Sequence, residues 1–123
     1  MNIERCIDDL LIRGVDDWVH TPEVEWVAKS TGGASTPDQI LDLSLHLIRE
    51  VVQQNLMEIG DVTESDRGFR KWGLSKEEAM QRVEREWKAL GRNPNLGEIC
   101  WLCNTEKGNE RGERLLRQRK PCG

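Results

Sequence analysis

The chain has 123 residues, 33% of them charged, and a formal net charge of −4, which suits one domain around a single hydrophobic core. That acidic balance argues against the sequence-independent phosphate binding of a strongly basic chain. No apolar run reaches the ~18 residues of a membrane helix, and residues 1–9 lack the basic start and apolar core of a signal peptide, so a soluble, cytoplasmic protein is expected.

Ile3, Ile7, Leu10 and Leu11 share one helical face, with Gly14 as the expected stop of that helix. Thr21-Pro22-Glu23 then supplies an N-cap, a proline at the first helical position and an acid near the positive helix end. This second helix turns Val24, Val27 and Ala28 inward and ends near Ser30, before a loop over 31–35. Thr36-Pro37-Asp38 repeats the start signal for a long helix reaching Leu56. Its residues Ile40, Leu41, Leu43, Leu45, Leu47, Ile48, Val51 and Val52 leave little polar surface, which predicts the central, most buried helix.

Residues 57–62 alternate as a strand, whereas residues 63–73 are polar with two glycines and read as a loop or wing tip carrying Phe69 and Trp72. Ser75-Lys76-Glu77-Glu78 is a capping box. The helix it opens carries Ala79, Met80, Val83, Trp87 and Leu90 at helical spacing and stops at Gly91. After a turn over 92–97, residues 98–103 form the second strand candidate. Beyond them, residues 105–123 hold Lys107, Arg111, Arg114, Arg117, Arg119 and Lys120 against Glu106, Glu110 and Glu113. That segment carries +3, which leaves −7 for residues 1–104. A single domain over 1–104 is therefore expected, followed by a basic C-terminal tail over 105–123, helical or disordered.

The order helix, helix, long helix, strand, insertion, strand resembles a winged helix-turn-helix domain. Residues 101–108, Trp-Leu-Cys-Asn-Thr-Glu-Lys-Gly, are similar to the wing strand of many bacterial regulators, where a leucine and a threonine precede a glycine. The resemblance implies a mainly α fold with a small antiparallel β-sheet, winged-helix-like, with a helical insertion (Lys76–Leu90) in the wing. It also implies a recognition helix at 36–56. That helix carries Asp38, Asp42 and Glu50 against Arg49 alone, a net of −2, which is the wrong sign for phosphates.

Chemistry-bearing motifs are few. Cys100 and Cys103 have C-x-x-C spacing, but Cys6, Cys122, His20 and His46 are scattered singly, so no metal and no cofactor is expected. On a strand the pair would point to opposite faces, as buried small hydrophobes, while Cys122 reads as an exposed thiol. Neither histidine belongs to a recognised nucleophile motif, and Gly32-Gly33 lacks the lysine of a phosphate loop, so no enzyme is expected.

The informative cluster is Asp16, Asp17, Trp18, Glu23, Glu25 and Trp26. Tryptophan beside carboxylates suits a surface that accepts Arg or Lys from a partner. The leading expectation is a small binding protein, monomer or homodimer, that neutralises a basic protein partner, as immunity proteins do for toxins. The alternatives are a winged helix-turn-helix DNA-binding regulator and a thiol or metal protein built on the cysteine pair. Nucleic acid would be met, if anywhere, by phosphate contacts through the tail.

Overall fold

The computed structural model describes residues 2–63 and 68–119. Among these the chain is mainly helical, with five helices and a four-stranded antiparallel sheet of order β1-β4-β2-β3. No helix among the described residues is long and apolar enough to cross a membrane.

Helix α1 (Ile3–Asp16) starts where the Asn2 side chain accepts the Arg5 N–H, and it buries Cys6, Ile7, Leu10 and Leu11. It runs through Gly14 instead of stopping there. A Cβ on Gly14 would collide with the Asn104 side chain, so the glycine permits a close approach and is not a terminator. Strand β1 (Val19–His20), too short to show in the sequence, pairs Val19 with Leu102 and His20 with Trp101.

Helix α2 (Thr21–Ser30) is capped by His20, not by Thr21: the Glu23 N–H donates to His20 Nδ1 at 3.1 Å. Thr21 is fully buried instead. Its hydroxyl lies 2.9 Å from the Cys100 carbonyl and accepts the Cys100 N–H at 3.2 Å, tying the start of α2 to the approach of the last strand. Helix α3 (Pro37–Gln53) has the expected Thr36 start, completed by Gln39 as a capping box. It buries Leu43, Leu47, Ile48, Val51 and Val52 in the core. At its end Asn55 adopts a positive φ of 60°, held by Thr105, whose hydroxyl donates to the Asn55 carbonyl at 2.6 Å.

Strands β2 (Met57–Thr63) and β3 (Gly68–Lys71) form a hairpin, so part of the expected loop is a strand, with Phe69 opposite Val62. Residues 64–67 of that stretch lie outside the described residues. Trp72, just beyond β3, is buried with the Arg82 guanidinium 3.8 Å above its ring. Helix α4 (Lys76–Leu90) has the predicted Ser75/Glu78 box and a left-handed Gly91 after it, and it buries Ala79, Met80, Val83 and Trp87.

The last strand, β4 (Trp101–Asn104), starts three residues later than expected. Ile99 has a positive φ of 70°, which breaks the extended run. The Glu98 carboxylate turns back to accept the Asn95 N–H at 2.7 Å and both arms of the Arg92 fork. The Arg92 fork, more than the Asn95 N–H, holds that carboxyl down at about 2. β4 lies between β1 and β2, and β2 pairs with it from Met57 opposite Asn104 to Gly60 opposite Trp101. The two strands that the resemblance places in a wing are therefore antiparallel neighbours, with β3 and α4 inserted between them in sequence. That arrangement is compatible with a winged-helix plan.

Residues 106–119, read in the sequence as part of a basic tail, form helix α5 (Glu106–Arg119) docked on α1. Arg111 reaches Asp8 at 2.7 Å and Glu4 at 2.9 Å on α1, and Gly112 is buried so close to α1 that an added Cβ would lie 2.7 Å from the Leu11 carbonyl. The packed unit thus extends past residue 104. Residues 120–123, with Cys122, lie outside the described residues.

Candidate functional site

The six residues of the acidic, tryptophan-bearing cluster do not form one surface. Asp16 ends α1 and Asp17 is its C-cap; both are exposed, and neither forms an ion pair among the described residues. Among the described residues the Asp17 carboxylate accepts only the neighbouring Trp18 N–H, at 2.7 Å. Two carboxylates at a helix C-terminus face the negative end of the helix dipole, an arrangement that costs a few tenths of a kcal/mol each, about 0.3–1. Trp18 is half-buried beside them. Together the three line a cleft of about 300 Å³ whose other walls include Val15, Cys103 and Asn109.

Glu23 is half-buried and already partnered. Arg13 of α1 contacts it at 3.2 Å and also holds Asp9 at 3.0 Å, while Thr31 donates its hydroxyl to Asp9 at 2.7 Å. This chain of charges stitches α1 to α2. Trp26, three residues on, is 56% exposed, the most open tryptophan among the described residues. Trp72 and Trp87 are buried, and Trp18 and Trp101 are half-buried.

Glu25 goes elsewhere. It is only 6% exposed and lines a separate cleft of about 240 Å³ between α2, the start of α3 and the end of α4. Burial pushes its carboxyl up, opposed weakly by Lys29 one turn on. The sequence pattern did not group Glu25 with Asp38, Trp87, Arg92 and Asn93, because they are brought together only by the packing of three helices.

The cysteine and histidine chemistry is muted by the same packing. Burial pushes the Cys100 thiol up to about 12, against the opposing Thr21 hydroxyl. Burial likewise raises Cys103, helped by the Glu58 charge and opposed by Trp18. Thiols kept protonated at neutral pH are poor nucleophiles. His20 spends Nδ1 on the α2 cap, and His46 is exposed on α3.

No family model matches this chain, and neither does any curated protein or solved structure. Function is therefore read from the residues themselves.

Proposed function

We propose that this chain is a non-enzymatic binding protein whose acidic, tryptophan-bearing surface binds and neutralises a basic protein partner, in the manner of an immunity-type inhibitor of a bacterial toxin. The observation that carries this reading is the pair Asp16 and Asp17, exposed and without a cation among the described residues, at the lip of the Trp18 cleft. Their position at a helix C-terminus works against the helix, so stability does not explain them. A partner's Lys or Arg side chains would satisfy both carboxylates, and the half-buried indole beside them offers apolar contact of the kind that anchors interfaces.

The DNA-binding alternative has less support. The single cation of α3, Arg49, is directed at Glu77 and Glu84 of α4, at 3.9 and 4.0 Å. An acidic α3 facing a helical insertion presents no phosphate-binding row. Of the basic residues in α5, Arg111 is committed to Asp8 and Glu4.

The test is affinity capture with the immobilised protein, read by mass spectrometry, against two variants, D16K/D17K and Trp18→Ala. A basic protein retained by the wild type and released by the charge reversal, with affinity down about a hundredfold or more, is the expected result. Identical retention by all three proteins would remove the surface from consideration.

A further inference from the structure

Glu25 is only 6% exposed, yet among the described residues its carboxylate accepts no hydrogen bond and forms no ion pair. Neither of its oxygens is among the fully enclosed orphan atoms, so the carboxylate opens onto the cleft it lines. A carboxylate partly withdrawn from water and without a partner is costly, and an uncharged side chain of the same size would fill this place at less cost. The cations nearby do not satisfy it. Lys88 at the cleft wall is drawn to Glu84 at 2.8 Å, and Arg92 is clamped by both oxygens of Glu98 at 2.7 and 2.8 Å. Lys29 acts on it only at a distance. Asp38, on the first turn of α3 across the cleft, is a second, exposed carboxylate that forms no ion pair among the described residues. Between them the cleft has an apolar wall of Trp87, Pro37 and Leu41, and an amide from Asn93.

We propose that this cleft is a binding site for an organic cation of the guanidinium class, held by the Glu25 and Asp38 carboxylates against the Trp87 wall. A guanidinium suits it better than an ammonium. It is planar, offers several donors in a fixed fork to a carboxylate, sheds its hydration more readily and packs against an indole. Its positive charge also removes the cost of burying Glu25. The inference stands apart from the partner-binding reading, since it uses a different cleft and a ligand that can be supplied as a small molecule.

The experiment is a titration followed by two-dimensional ¹H–¹⁵N NMR, with N-acetyl-arginine methylamide as the probe. The matching citrulline derivative, neutral but of the same shape, is the control, and agmatine is a third arm. Saturable shifts of the Trp87 indole N–H and of the Glu25 and Asp38 amides are expected, with a Kd of roughly millimolar order, typical of one small group in a partly open site. Glu25→Gln should weaken the arginine probe about tenfold or more, whereas Trp26→Ala should leave it unchanged. Tighter binding of the capped arginine than of agmatine assigns the site to a peptide-borne side chain. The reverse order assigns it to a free amine. Equal shifts from arginine and citrulline, an unaffected Glu25→Gln, or no saturation overturns the proposal.

Discussion

Single side chains in this protein take roles that their local sequence does not announce. Thr21 has the spacing of a cap and acts as a buried bridge to Cys100, while His20, read as an isolated histidine, is the cap. The reason is that capping needs only one acceptor near the first free N–H groups, and the chain path decides which side chain is there. Glu25 is the clearest case for a residue-scale prediction. Burial raises its folded carboxyl above the ordinary glutamate range, so the folded state holds that proton more tightly than the unfolded chain does. Its contribution therefore lowers stability as pH rises from the ordinary value, about 4.3, through the raised one, and this penalty is absent below that window. Glu25→Gln should accordingly raise the neutral-pH stability by on the order of 1 kcal/mol, with the gain vanishing in acid. Thermal melts of both proteins at several pH values check it. A lower Tm for the variant at neutral pH would mean that the charge has an internal partner.

At the level of elements, what was legible was what is settled within a few residues. The Ser75/Glu78 box and the Gly91 stop delimit α4 because both are hydrogen-bonding or backbone properties of adjacent residues. The strands were harder. β1 has two residues and β3 four, and each exists because a distant partner supplies its hydrogen bonds. Helix α5 is the instructive element. Its charge pattern resembles that of a solvated tail, but Arg111 is taken up by Asp8 and Glu4, and Gly112 lets the helix settle on Leu11. Arg111→Ala should leave the half-buried Asp8 unpaired, with the exposed Glu4 returned to solvent, and lower stability by about 1 kcal/mol. Urea denaturation gives the measurement. A midpoint equal to that of the wild type would show that α5 contributes nothing through this contact.

For the whole molecule, charge and architecture point in different directions. The sheet order is compatible with a winged-helix plan, whereas the surfaces offered by α3 and by the α1 end are acidic. Titration of mixed-sequence duplex DNA by fluorescence anisotropy should accordingly give no binding even at low salt, where any row of free cations would be most effective. Micromolar binding that weakens steeply with added salt would return α5 and the β2–β3 hairpin to attention. The sequence alone determined the helical class and the limits of α4, because periodicity and capping are short-range properties of the chain. It also determined the net acidity, which folding cannot change. Only the tertiary structure decided which carboxylates are free, which are spent and which is buried unpaired. It separated Asp16 and Asp17 from Glu25, and it turned Arg111 from a surface charge into a clamp. The physical reason is that ion pairing and desolvation depend on distances between helices remote in sequence, and no local pattern encodes those distances.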